Sequence, residues 1–302
     1  MINDVHCHFF STRFFEILGG QLSPAEDDAS TTLPERLGWD APGSPEALAD
    51  RWVQTLDAQE VGRAAVMASL PGDEASVGTA VRRHPGRLVG MTMFNPVAPD
   101  ADVRIRTALE DERLRCVCLF PALHGYPLDD EAVDRVFAAA AAAGAVVFVH
   151  CGVLTVGVRK KLGLPTPVDV RLGDPLALIG TATRNPEVPV IIPHFGGGQL
   201  RSTLMAADLC GNIHVDTSSS NGWIRYTPGL TLEAVFAAAL ETLGPERIVF
   251  GTDSSFFPRG WQLTVYERQR TILETLGVET AAQEAIMAGN FERLFPAGTP
   301  DR

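Results

Sequence analysis

The chain opens on Ile2-Asn3-Asp4-Val5-His6-Cys7-His8, a short β-like run that carries two histidines two residues apart. Residues i and i+2 of a strand share a face, so His6 and His8 are expected side by side, with Val5 and Cys7 opposite them. Two imidazoles on one wall are half of a metal site and need partners from other segments. Three more β-like runs end in groups able to supply them: Val146-Val147-Phe148-Val149-His150, Val190-Ile191-Ile192-Pro193-His194 and Ile248-Val249-Phe250-Gly251-Thr252-Asp253. With the first pair these make five candidate groups, one more than a four-ligand site requires.

Working outward, strand-like runs alternate with helix-like segments to the end of the chain. Strands are expected at Asp4–His8, Ala64–Ala68, Arg87–Phe94, Arg115–Phe120, Ala145–His150, Val188–Ile192, Asn212–Asp216 and Arg247–Gly251. Ser44-Pro45-Glu46 reads as an N-cap followed by proline at the first helical position, opening a helix to about Gln59. Two C-terminal helices are expected, at about Trp261–Leu276 and Thr280–Ala288. Eight strands joined by crossover helices predict an α/β fold, the closed (β/α)8 TIM barrel, as a single domain over residues 1–302. The stretch Phe9–Pro42 is too long for a plain βα turn and reads as an irregular, lid-like insertion after strand 1. Active sites of such barrels lie at the C-terminal strand ends, where His8, His150, His194 and Asp253 fall.

Composition narrows the function. A chain of 302 residues with 45% hydrophobic and 21% charged residues has globular values and the usual length of one barrel. A net charge of −12 would repel nucleic-acid phosphates, and the densest basic cluster is only Arg159-Lys160-Lys161. The longest apolar stretch, Val136–Val149, is divided by Gly144 and is too short to span a membrane. The five cysteines are odd in number, and Met1-Ile2 runs straight into the first strand, leaving no room for a leader. A reduced, cytoplasmic protein is therefore expected, with Cys116 and Cys118 as buried apolar residues.

Each candidate has a plainer alternative. His150 closes an entirely apolar strand, and burying it without a partner would be costly. His194 is similar, and the glycines after it let a substrate approach. Asp253 sits in a polar turn and could simply be a turn residue. His84 reads as a surface helix end, His124 as a loop residue able to reach a pocket, and His214 as a core histidine. In the loops at the active end, Arg13, Arg159, Lys161, Arg171, Arg225 and Arg259 could hold an anion, though loop cations are more often solvated. Trp223, Phe256, Phe257 and Trp261 could wall a ring, or pack beneath the lid. Of these, Arg159, Arg225, Trp223 and Phe256 are the substrate-binding candidates.

Here the motifs carry a resemblance. Asp4-Val5-His6-Cys7-His8, His150-Cys151-Gly152, Pro193-His194-Phe195-Gly196-Gly197, Gly251-Thr252-Asp253 and Gly289-Asn290-Phe291-Glu292-Arg293-Leu294-Phe295 span nearly the whole chain. Together they resemble the amidohydrolase-related family, in the branch of aminocarboxymuconate-semialdehyde decarboxylase and resorcylate-type decarboxylases. The resemblance implies His6, His8, His150 and Asp253 as metal ligands and His194 as the pocket histidine that handles protons. It also implies a homodimer. Members often carry a lysine where this chain has Cys118-Leu119-Phe120-Pro121, and the two lysines here are Lys160 and Lys161. One divalent ion is therefore expected rather than a bridged pair. Nitrogen and oxygen ligands suit Zn2+ best, with Mn2+, Fe2+, Co2+ and Ni2+ as alternatives. The preferred reading is a metal-dependent hydrolase of a small organic substrate, with His194 and Asp253 catalytic. A non-oxidative decarboxylase of a small aromatic or unsaturated acid comes next, and a non-catalytic metal-binding barrel is the rival from another class.

Overall fold

The computed structural model describes residues 1–298. Eight strands form one sheet in the order of the chain: β1 Ile2–Phe9, β2 Val61–Ala68, β3 Leu88–Phe94, β4 Cys116–Leu119, β5 Val146–Val149, β6 Val190–Ile192, β7 Ile213–Asp216 and β8 Ile248–Val249. Every neighbouring pair is parallel. β8 meets β1 through Val5 N–H to Phe250 O (3.0 Å), Asp253 N–H to His6 O (2.9 Å) and His8 N–H to Ser254 O (2.7 Å), which closes the barrel. The expected TIM-barrel class is thus the observed one.

Two apolar layers follow from the strand period. Inside the barrel lie Val5, Ala65, Met67, Met91, Cys116, Cys118, Phe148, Ile191 and Val249, with Phe291, Leu294 and Phe295 of the C-terminal segment packed against them. Outside, Cys7, Val66, Val117, Val147 and Val215 face the helix layer, which contributes Trp52, Phe137 and Phe236. Each large side chain so buried contributes about 1.5–3 kcal/mol. All five cysteines are buried and unpaired. Among the described residues, no helix is long and apolar enough to cross a membrane.

Three local expectations change. Between Asp4 and Cys7, β1 advances three residues while β2 advances two, from Ala64 to Val66. This bulge breaks the simple alternation: Cys7 faces outward, but Val5 joins the interior cluster rather than standing opposite His6. Residues 9–42 are also less irregular than expected, because they contain the helices Thr12–Gly19 and Ala29–Leu37. Ser11 caps the first by accepting from Phe14 N–H. Phe14, Phe15, Leu18, Leu33 and Leu37 then bury their apolar faces against Val158 and Leu162 of the loop after β5. The helix opened by Ser44 and Pro45 runs to Ala58, as its capping signals predict. The last expected helix, Thr280–Ala288, instead comprises α-helix Thr280–Glu284, a π-helical turn Ala285–Gly289 and α-helix Asn290–Leu294.

Candidate metal and active site

His6 and His8 leave the end of β1 with His6 buried and His8 half-buried. From the seam with β8, Asp253 turns back toward them in a left-handed backbone conformation, φ +60°. Its Oδ1 lies 3.0 Å from His8 Nε2 and 3.8 Å from His6 Nε2. In a tetrahedral zinc shell with bonds of about 2.1 Å, neighbouring ligand atoms lie about 3.4 Å apart. The three atoms are therefore spaced as the ligands of one ion would be.

The second nitrogen of each ring shows which way the imidazole is held. Ser69 Oγ donates to Met67 O (3.1 Å), so it accepts from His8 Nδ1–H at 2.7 Å. His6 Nδ1–H donates to Asp216 Oδ2 at 2.9 Å. Both rings then turn Nε2 toward the site, and that nitrogen offers a metal its lone pair whenever it carries no proton. Burial would depress the pKa of His6, but the charge and hydrogen bond of Asp216 outweigh it and raise the pKa. An environment that stabilises positive charge on His6 also favours a cation beside it. Burial likewise works against the Asp253 carboxylate, yet the bond from His8 and the nearby rings hold its pKa well below the usual range.

His150 ends β5 and stacks on Phe120, with ring centroids 5.2 Å apart. Burial, reinforced by His194 and His6, lowers its pKa to about 3, so the ring is neutral. Its Nδ1 is buried and has no hydrogen-bond partner among the described residues. An orphaned atom of this kind costs about 1–3 kcal/mol, a cost that a bound cation removes. A neutral imidazole donor beside the His6, His8 and Asp253 atoms is chemistry that fits a divalent ion. His150 stands outside the tight three-atom group itself, with its ring 5.4 Å from that of His194.

His194 follows β6 in a strained turn. His194 and Phe195 have φ of +55° and +52°, and Gly196, Gly197 and Gly198 continue the positive run. Left-handed backbone costs a residue with a Cβ about 1–2 kcal/mol. The strain is held by Asp216 Oδ1, which accepts His194 N–H at 2.9 Å. His194 Nδ1 lies 3.2 Å from Ser218 O, which can only accept, so Nδ1 carries the proton. The ring stacks beside His6 at 5.0 Å.

These groups lie at the floor of a cavity of about 910 Å³. All four proposed substrate contacts line it. Trp223 is buried and donates to Asn221 Oδ1 at 2.9 Å, and Phe256 stacks on Trp39 at 4.2 Å. Arg159 is engaged by Gln21 and by Pro165 O, and Arg225 lies over Tyr226. Arg13 and Arg171 instead pair with Glu16 and Asp169, and neither lines the cavity. His124 does line it, with burial lowering its pKa to about 4. His84 caps a helix and pairs with Asp50, while His214 bonds Asn212 O.

Sequence reasoning passed over Asp216, Ser218 and Ser69. Asp216 had a usable signal, since it ends a strand and begins the polar run Asp216-Thr217-Ser218, much as Asp253 does. Ser69, a lone serine after β2, had none.

The amidohydrolase family profile matches residues 4–297. Solved structures share the architecture. 5-Carboxyvanillate decarboxylase LigW from Sphingomonas paucimobilis superposes with a TM-score of 0.65 at 15% identity, over 98% of this chain and 99% of that one. An amidohydrolase from Burkholderia multivorans with bound zinc gives 0.61 at 16%, covering 99% and 100%. A probable 2-pyrone-4,6-dicarboxylic acid hydrolase from Acinetobacter baumannii gives 0.60 at 14%, covering 97% and 98%. Comparison with curated proteins gave no match.

Proposed function

The chain belongs to the amidohydrolase family of enzymes, and from that premise we propose that it is a metal-dependent hydrolase of a small, flat, anionic organic substrate. The observation that carries this reading is the convergence of His6 Nε2, His8 Nε2 and Asp253 Oδ1 on one point beneath the cavity, beside His194. His6, His8, His150 and Asp253 would hold one divalent ion, for which zinc suits the nitrogen-rich donor set. When bound, that ion supplies Lewis acidity and lowers the pKa of water.

The chain's own residues do the rest. His194, with its proton fixed on Nδ1, keeps Nε2 free to accept a proton from water or to orient it. Asp253, ionised and beside His8 Nε2, can take up that proton and return it to the leaving group. Phe10, Phe120, Trp39, Trp223 and Phe256 offer flat apolar surface to a ring and exclude water from it. The insertion after β1 acts as a cover, since it supplies Phe10, Phe14, Leu18 and Trp39 to the cavity wall.

A second reading, non-oxidative decarboxylation, is favoured by the charges around the cavity. Arg159, Lys161, Arg225 and Arg259 line it, and among the described residues Asp253 is its only acidic member. In a chain of net charge −12, such a mouth selects carboxylates. Two relatives carry names of matching chemistry, one a decarboxylase of a carboxylated ring and one a probable hydrolase of a dicarboxylate.

A panel of lactones and amides, set against hydroxybenzoates and muconates, separates the readings by acid release or by carbon dioxide release. On the substrate so found, a His194→Ala variant that still holds metal is expected to lose about 10²–10⁴-fold in kcat. Full activity in that variant would remove His194 from proton handling.

A further inference from the structure

Asp216 is fully buried at the end of β7, and both of its oxygens are engaged by the site. Oδ2 accepts from His6 Nδ1–H at 2.9 Å. Oδ1 accepts His194 N–H and Ser218 N–H, each at 2.9 Å, and also the Ser218 hydroxyl in a short bond. Ser218 Oγ in turn lies 2.8 Å from His194 Nδ1 and 2.9 Å from His6 Nδ1. His6, His194 and Asp216 also place ligand-type atoms close together, but His6 Nδ1, His194 Nδ1 and both Asp216 oxygens are engaged in these bonds. That group is therefore a hydrogen-bonded support and not a second ion site.

We propose that Asp216, acting partly through Ser218, is a positioning residue that sets the orientation of two histidines with different tasks: His6 toward the ion and His194 toward the reacting molecule. The chemistry allows few alternatives. The ionised carboxylate can only accept, so it holds the proton on His6 Nδ1 and turns Nε2 inward. Because Asp216 takes the Ser218 hydroxyl proton, Ser218 Oγ is left as an acceptor toward His194 Nδ1–H. Asp216 also fixes the main chain on either side, through the amide of the strained His194 and the amide of Ser218. One carboxylate on β7 thereby spans the ends of β1 and β6. The two arms divide at Ser218, since His6 bonds the carboxylate directly whereas the His194 ring is reached through the serine.

That division gives the test, which needs no substrate and so stands apart from the proposed reaction. Zinc affinity is measured by chelator competition, and the tautomer of each ring by two-bond ¹H–¹⁵N correlation spectra of histidine-labelled protein at fixed pH. Asp216→Asn is expected to weaken zinc binding by about 10–100-fold and to shift His6 from the Nδ1–H form, while the His194 signal moves but keeps its proton on Nδ1 through the Ser218 carbonyl. Ser218→Ala is expected to keep zinc affinity within about 3-fold and leave His6 in its Nδ1–H form, while the His194 Nδ1–H signal shifts, because the hydroxyl at 2.8 Å is lost and the Ser218 carbonyl at 3.2 Å remains its partner. Ser218→Thr, which keeps the hydroxyl, should restore the wild-type His194 signal. Should Asp216→Asn fail to fold, the serine pair decides. An unchanged His194 signal in Ser218→Ala, or zinc loss in that variant as large as the loss expected for Asp216→Asn, overturns the proposal.

Discussion

Asp73 shows how one buried residue outside the site shapes stability. It precedes helix Glu74–Arg83 and is almost fully buried, with Ser11 Oγ 2.8 Å and 2.7 Å from its two oxygens. Burial is the main cause that raises its pKa to about 6; Ser76 and Ser11 pull it down, and Glu74 adds to the rise. A carboxyl whose folded pKa exceeds its unfolded value carries a penalty that is full above the folded pKa. The penalty disappears as pH falls through about 6 toward 4. The Asp73 contribution should therefore make the protein less stable as pH rises from about 4 to 6, by at most about 3 kcal/mol. Asp73→Asn should flatten this part of a urea-unfolding profile measured against pH. An unchanged slope would show that Asp73 keeps an ordinary pKa.

At the scale of elements, the ends of β5 and β6 are locked together by backbone rather than by side chains. Gly152 has φ +72°, and a Cβ there would overlap the carbonyl oxygens of Gly196 and Gly197. Gly152→Ala should therefore force apart the two turns that carry His150 and His194. The expected loss is about 3 kcal/mol or more, beyond an ordinary surface substitution. Gly163 has the same φ, +72°, but nothing lies within 4 Å of an added Cβ. Gly163→Ala isolates the conformational cost and should lose about 1 kcal/mol. Equal losses in the two variants, by chemical denaturation, would show that the contact with the β6 turn is unimportant. The insertion after β1 belongs to the same scale. Its apolar residues were visible in the sequence, but its two helices were not, because each is short and stabilised by Val158 and Leu162 from a distant loop.

For the whole molecule, the ion would connect β1 with the loops after β5 and β8, segments separated by most of the chain. Any ligand bound only by the folded state stabilises it, by about 2.7 kcal/mol at one hundred times its dissociation constant. In a chain of this length that corresponds to roughly 4 °C in Tm. Zinc added to chelator-treated protein should produce such a rise in a calorimetric scan, and renewed chelation should reverse it. A Tm indifferent to zinc would mean that the three converging side chains do not hold an ion.

The eight strands, their parallel order and the helix opened by Ser44 and Pro45 could be read along the chain, because each is a local pattern of apolar runs, turns and caps. The ligand-type residues at strand ends were legible for the same reason: a strand end is a local feature, and the barrel places all its strand ends on one rim. The bulge at Asp4–Cys7 was not legible, since only pairing with β2 reveals that β1 carries an extra residue. Nor was the role of Asp216, whose meaning lies in His6 and His194, 210 and 22 residues away. Sequence by itself determined which side chains could serve and at which end of a barrel they would stand. Tertiary structure alone decided which atoms face one another, because hydrogen-bond direction and ligand spacing depend on distances that no single strand defines.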